Sequence, residues 1–200
     1  MTAPHASTTP TEVGLDTDFD GLRAAADQII KHYKGGIYLH DTFGNHPILG
    51  KVHGFTPTKW DTRMLDLADH VACWSRDPST QVGVVIVRPD NTVASMGFNG
   101  FPRGVNDDPA RYEDKAIKYP MVVHAEANAI TTAREPLHGY TLYGNLAPCC
   151  DCTGLLIQAG IKRVVTPPPT LEVFERWKDS MDMAATMMQE AGVMYLWATS

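Results

Sequence analysis

The chain has 200 residues, 44% of them apolar and 20% charged, enough for one domain with a real core, and 17 basic against 23 acidic residues leave a net charge of −6. That acidic balance excludes a protein that grips long nucleic-acid backbones, because phosphate neutralisation needs a basic surface; a small anionic ligand needs only a local positive pocket. Residues Met1 to Pro10 lack a secretory apolar core and no apolar run is long enough to span a bilayer, so a cytoplasmic protein without membrane contact is expected.

Residues 1 to 18, rich in Thr, Ala and Pro, read as a flexible tail, and Phe19 to Tyr33 as a helix with Leu22, Ala25, Ile29 and Ile30 on one face. Gly, His and Pro dissolve the pattern from Lys34 to Thr56, so residues 1–56 are expected to form an N-terminal extension and 57–200 the main domain. The loop histidines His32, His40, His46 and His53 lack regular ligand spacing. Thr58, with Asp61 three residues on, predicts an N-cap for a helix from Lys59 to Trp74. On that helix His70 and Cys73 are assigned to core packing rather than to half of a metal site.

Val82 to Val87 is a β-branched run, Pro89-Asp90-Asn91 a turn, and Val93 to Phe98 a second strand, which together predict an antiparallel hairpin. A polar loop is expected from Asn99 to Pro120, with Lys115 and Lys118 balanced by Glu113 and Asp114. Then follow a helix from His124 to about Arg134, a strand at Tyr140 to Tyr143, a helix at Cys150 to Gln158 ended by Ala159-Gly160, and a strand at Ile161 to Thr166. A long helix at Leu171 to Ala191, whose Met181, Met183, Met187 and Met188 suit core or subunit packing, and a strand at Val193 to Trp197 close the chain. Helices alternating with the later strands predict an α/β fold whose partly parallel sheet is covered on both faces.

Two short motifs carry chemistry: His124-Ala125-Glu126 and Pro148-Cys149-Cys150-Asp151-Cys152. Pro148 suits a helix start, so Cys149 and Cys152 share one side of that helix, and His124 opens another. Two helix N-termini facing each other would converge three ligands on one catalytic Zn2+ ion and favour thiolates, while the fourth position stays open for water. Glu126, two residues after His124, is the expected proton shuttle for water at that position. Cys150 points away from the other two cysteines and reads as a small core residue.

H-x-E with P-C-x-x-C is the signature of zinc-dependent nucleobase deaminases. Around it, Ser75-Arg76-Asp77-Pro78-Ser79-Thr80-Gln81-Val82-Gly83, Gly97-Phe98-Asn99-Gly100-Phe101-Pro102-Arg103-Gly104, Lys118-Tyr119-Pro120, His124 to Ile130 and Ala159 to Val165 resemble the deoxycytidylate deaminases, over about Trp60 to Trp197. The resemblance implies a cytidine deaminase-like three-layer α/β/α sandwich with a mixed five-stranded sheet, and hydrolysis of dCMP to dUMP in the supply of thymidylate precursor. It implies substrate contacts at Arg76 and Thr80 for the 5′ phosphate, and at Asn99 and Ala125 for sugar or base. It further implies a homo-oligomer, a hexamer in many members, with dCTP and dTTP as effectors acting through Gly97 to Gly104 and Mg2+ accompanying the triphosphate. Gly144-Asn145-Leu146-Ala147 replaces bulkier residues of related enzymes, which suggests a roomier wall and a modified cytidylate such as 5-methyl-dCMP as an alternative substrate. The motifs are also compatible with a deaminase of free guanine or of a nucleoside, and with a catalytically inactive zinc-binding regulator.

Overall fold

The computed structural model describes residues 52–199; the tail and helix expected before residue 52, with His32, His40 and His46, lie outside the described residues. Among the described residues, six strands form one mixed sheet in the order β1-β6-β5-β4-β2-β3. They are β1 (His53–Phe55), β2 (Gly83–Val87), β3 (Val93–Phe98), β4 (Thr141–Gly144), β5 (Arg163–Thr166) and β6 (Met194–Ala198). β2 pairs antiparallel with β3 and β4, whereas β4, β5, β6 and β1 run parallel.

The expected count of five strands is corrected to six. The added strand, His53–Phe55, comes from the segment assigned to the extension and pairs parallel with β6. Three residues rich in Gly and His carry no alternation of their own, so only the partner strand reveals them. Val52 beside it is 5% exposed and belongs to the main core.

β2 reads Gly-Val-Val-Ile-Val and is buried throughout, because successive side chains feed two different cores. Val85 and Val87 pack with Tyr143, Val165 and Leu196 under helix α1 (Lys59–Ala72), through Met64, Ala68 and Val71. Val84 and Ile86 pack with Leu142, Val164, Tyr195 and Trp197 on the opposite face. That face is covered by α4 (Ala125–Thr132), α5 (Cys150–Gln158) and α6 (Leu171–Glu190), which gives the expected three layers.

Two glycines set how closely the helices approach. A Cβ on Gly83 would collide with the backbone of Ala68 and Ala72 in α1, and a Cβ on Gly97 with the backbone of Ala125 and Ala129 in α4. The second contact matters for the site, because it presses the helix that carries Glu126 onto edge strand β3. α4 also caps that edge: Asn128 Nδ2 donates to Phe98 O at 2.8 Å and Thr132 Oγ1 to Met96 O at 3.3 Å.

The helix boundaries follow local capping. Thr58 and Asp61 form the expected capping box of α1, which ends at Ala72, two residues before the expected stop. Residues 99–120 are not one loop: they contain α2 (Pro109–Glu113) and α3 (Lys115–Met121). Asp108 accepts from Ala110 N at 3.0 Å ahead of Pro109 at the first helical position, and Asp114 accepts from Ala116 N at 2.8 Å. Those Asp and Pro residues are helix-start signals as well as loop signals. β5 begins two residues later than expected because Ile161 N donates to Leu156 O at 3.1 Å, closing the end of α5 over Gly160 at φ 84°.

Candidate metal and catalytic centre

The site lies where α4 and α5 begin. His124 is the N-cap of α4, with φ −70° and ψ 155°, and Cys149 is the N-cap of α5, with φ −71° and ψ 169°. β4 ends at Gly144, five residues before Cys149, and the Gly100–Val123 bridge ties the end of β3 to the residue before His124. Both helix starts therefore follow strands of one sheet, β3 and β4, which flank β2 on either side.

His124 Nδ1 lies 3.5 Å from Cys149 Sγ and 3.3 Å from Cys152 Sγ. The ligand atoms of these three residues all fall within 4.8 Å of one another, and among the described residues they are the one group of three or more His, Cys, Asp or Glu side chains arranged to hold a metal ion. One imidazole and two sulfurs at such spacing fit a tetrahedral zinc, with His124 ligating through Nδ1 and one vertex left over. Without a metal the group shares protons. The Cys152 thiol and His124 bring Cys149 down to about 4, while the same contact and burial push Cys152 up. Contact with Cys149 in turn raises His124.

Glu126 is 4% exposed, and none of the salt bridges among the described residues reaches it. Burial pushes its carboxyl up, and the charge on Cys149 adds to that. It stands beside Cys152 and is not one of the three residues whose ligand atoms gather for a metal. Ala125, the first residue of α4, is fully buried.

Of the three remaining expected substrate contacts, Asn99 and Thr80 are joined in a second network and Arg76 lies outside it. Asn99, 6% exposed, accepts from Val82 N at 2.8 Å and donates to Thr80 O at 2.9 Å. Val82 thus gives its N–H to a side chain and keeps only one backbone bond to the end of β3, from Asn99 N at 3.1 Å, and the regular strand starts at Gly83. Asn145 repeats the grip from the other side, accepting from Gly83 N at 3.0 Å and donating to Gln81 O at 3.2 Å. Thr80 is exposed, and Arg76, whose side chain is 74% exposed, pairs with Asp107 at 3.3 Å rather than with its neighbour Asp77.

Several sequence expectations change here. Lys118 is not a loop lysine balanced by Glu113 and Asp114: it is 7% exposed, on α3, with Nζ 2.7 Å from Asp77 Oδ2 and 2.6 Å from Ser79 Oγ. Gly144 opens no room, since a Cβ there would meet Leu146 O at 3.2 Å and Val84 Cγ1 at 3.3 Å. Cys150 is half-buried rather than core, and its backbone N donates to Ser180 Oγ at 3.0 Å. His70 and Cys73 are exposed, with His70 edge-on to Trp74 at 5.8 Å, so neither packs in the core. Of the methionines in α6, Met181 and Met188 are core residues and Met183 is exposed. The sequence places Asn145 in the wall beside the second motif, but nothing in it marks Asp107 as the partner of Arg76 or Lys118 as the partner of Asp77.

The profile described as "Cytidine and deoxycytidylate deaminase zinc-binding region" matches residues 58–167, more than half of the chain. The chain belongs to this family of deaminases. An uncharacterized deaminase from Aliivibrio fischeri is 40% identical over 140 residues, which are 70% of this chain and 94% of that protein. The deoxycytidylate deaminase of Mus musculus is 35% identical over 145 residues, covering 68% of this chain and 78% of the mouse protein. Among solved structures, the dCMP deaminase of cyanophage S-TIM5 superposes with a TM-score of 0.55 at 23% identity, over 71% of this chain and 99% of the phage chain, which establishes the cytidine deaminase-like fold. The protein is accordingly a hydrolytic deaminase with a zinc-binding region. None of its described helices is long and apolar enough to cross a membrane.

Proposed function

We propose that the protein converts dCMP to dUMP with release of ammonia, using a zinc ion held by His124 Nδ1, Cys149 and Cys152 and Glu126 as the proton carrier. The observation that carries this reading is the juxtaposition of the three-donor group with a buried carboxyl group that has no salt bridge among the described residues. When bound, zinc supplies Lewis acidity that lowers the pKa of a coordinated water towards neutrality. Glu126 takes one proton from the attacking water as its oxygen adds to C4 of the cytosine, and delivers it to ring N3. It then moves the remaining water proton to the exocyclic amine, the C4–N4 bond breaks, and ammonia leaves a C4 carbonyl behind. Burial of Glu126 suits both halves, because a carboxyl raised towards neutrality accepts and returns protons with little penalty.

For the substrate, Arg76 offers a planar fork matched to phosphate and Thr80 a hydroxyl on the same turn. Asp107, now paired with Arg76, would yield that fork to an arriving phosphate. Asn99 and Ala125 would face the sugar and base. Relatives named deoxycytidylate deaminases, such as the mouse protein, support a nucleoside monophosphate, and the net charge of −6 favours one small anion in a local positive site over a polynucleotide. The same reading includes a cytoplasmic homo-oligomer regulated by dCTP and dTTP with Mg2+, which light scattering and rate assays with each triphosphate would check.

Ammonia release from dCMP, CMP, dCTP, 5-methyl-dCMP, deoxycytidine and guanine tests the reading. We expect dCMP to exceed deoxycytidine at least tenfold in kcat/KM, with activity lost to a chelator and restored by zinc. Equal turnover of deoxycytidine removes the phosphate role of Arg76, and indifference to chelation removes the metal.

A further inference from the structure

The turn from Ser75 to Gln81 carries both proposed phosphate contacts, and its buried anchor is neither of their side chains, both of which are exposed. Its centre is Asp77, 1% exposed, whose Oδ1 accepts from Ser79 N and Ser79 Oγ at 2.9 Å each and from Thr80 N at 3.1 Å. Lys118 Nζ closes that hub from outside the turn, 2.8 Å from Asp77 Oδ1, 2.7 Å from Oδ2 and 2.6 Å from Ser79 Oγ. All the ammonium's polar contacts thus fall on residues 77–79, and the side chains of residues 76 and 80, on either side of them, face solvent.

Lys118 also sits six residues before His124. α3 ends at Met121, Val122 N donates to Lys118 O at 2.9 Å, and Val123 pairs with Gly100 immediately before the metal-ligand candidate. One buried cation therefore links the chain segment that delivers His124 to the turn that displays Arg76 and Thr80. A buried ion pair is a poor source of net stability compared with apolar residues of equal volume, because both charges lose their hydration. Its gain is geometric, since it admits one arrangement of the turn.

We infer that Lys118, through Asp77 and Ser79, is a positioning residue for the 5′-phosphate grip, fixing the spacing between the phosphate contacts and the metal centre. This rests on the proposed roles of Arg76 and Thr80. The group is not a phosphate ligand itself, since its contacts lie on Asp77 and Ser79.

Steady-state kinetics on Lys118→Met and Lys118→Arg in the zinc-loaded protein test the inference. We expect Lys118→Met to raise KM for dCMP at least tenfold while kcat at saturation falls less than threefold, and Lys118→Arg to recover part of the loss. The inhibition constant of dUMP should rise with KM while that of deoxyuridine, which lacks the phosphate, stays within twofold. If Lys118→Met does not fold, Asp77→Asn, which keeps the shape and removes the charge, is measured in the same way. A fall in kcat with KM unchanged, parallel weakening of dUMP and deoxyuridine, or failure of both variants to fold would overturn the inference by making the pair a fold element only. Wild-type protein that prefers dUMP to deoxyuridine but shows no Lys118 effect rejects this inference alone, whereas wild-type protein indifferent to the phosphate rejects the substrate reading beneath it.

Discussion

Two carboxylates are buried almost equally deeply and behave in opposite ways: Asp61 is 3% exposed and Glu126 is 4% exposed. Asp61, on α1, accepts from Tyr143 Oη at 2.8 Å and Thr58 Oγ1 at 2.6 Å and pairs with Arg163 at 2.9 Å. Burial alone would raise its pKa, but the bonds from Thr58, Arg163 and Tyr143 outweigh burial and hold it below the ordinary 3.8. Glu126, on α4, meets sulfur and imidazole and no ammonium or guanidinium among the described residues, so burial prevails and its pKa rises. Burial depth says nothing about whether a carboxylate is structural; the count of fixed donors around it decides whether the proton is excluded or exchangeable.

Replacing each carboxylate breaks the comparison in a different observable. Glu126→Gln should lower kcat by about 10² to 10⁴-fold, the usual size of a lost proton carrier, while the melting temperature stays level or rises; retained turnover contradicts the assignment. Asp61→Ala should do the reverse. Its destabilisation in urea should be about 3 kcal/mol, at the low end for a broken buried pair because the Arg163 side chain stays 25% exposed, with turnover per folded molecule retained. Tyr143→Phe removes one donor to Asp61 and one acceptor of Arg163, and should cost about 1.5 kcal/mol in the same titration.

The smallest effect is in the pH dependence of stability in metal-free protein, where the two carboxylates have opposite signs. Asp61 and Asp77 have folded pKa values lowered from 3.8, so the unfolded chain binds more protons; their contribution is present above about pH 4 and is lost as pH falls through the folded values. Glu126 is raised from 4.5, so the folded chain binds more protons, and stability declines as pH climbs from about 4.5 through its folded value. Urea titrations from acid to neutral pH should therefore show a shallower acid limb in Asp61→Asn and a smaller decline towards neutrality in Glu126→Gln.

Most of the layered architecture was legible because it is written in short-range signals. The β-branched run of β2, the Thr58–Asp61 box and the Gly160 stop each specify their own backbone. The two motifs likewise single out His124, Cys149 and Cys152, whose ligand atoms lie together, since position at a helix start carries much of their geometry. What stayed hidden is long-range. Asp77 and Lys118 are 41 residues apart, and no local pattern marks either as the partner of the other. Asn145 and Gly83, 62 apart, are equally silent, and Gly144 reads as empty space until Val84 and Leu146 are found against it. The helices at 109–113 and 115–121 were missed for another reason: Asp and Pro begin helices as well as loops, and only their hydrogen bonds distinguish the two.

The strand at His53–Phe55 decides where the polypeptide can be cut. A shortened protein that starts at residue 57 would strip the partner from Met194–Ala198, free the backbone N–H of Thr199 from its 3.0 Å bond to Phe55 O, and take Val52 out of the core. It would leave an apolar parallel strand unpaired at the rim, the kind of surface on which identical molecules stack. Truncations for crystallisation or expression should therefore begin ahead of Val52, and poor solubility in shorter ones would report on that naked edge rather than on the deaminase site.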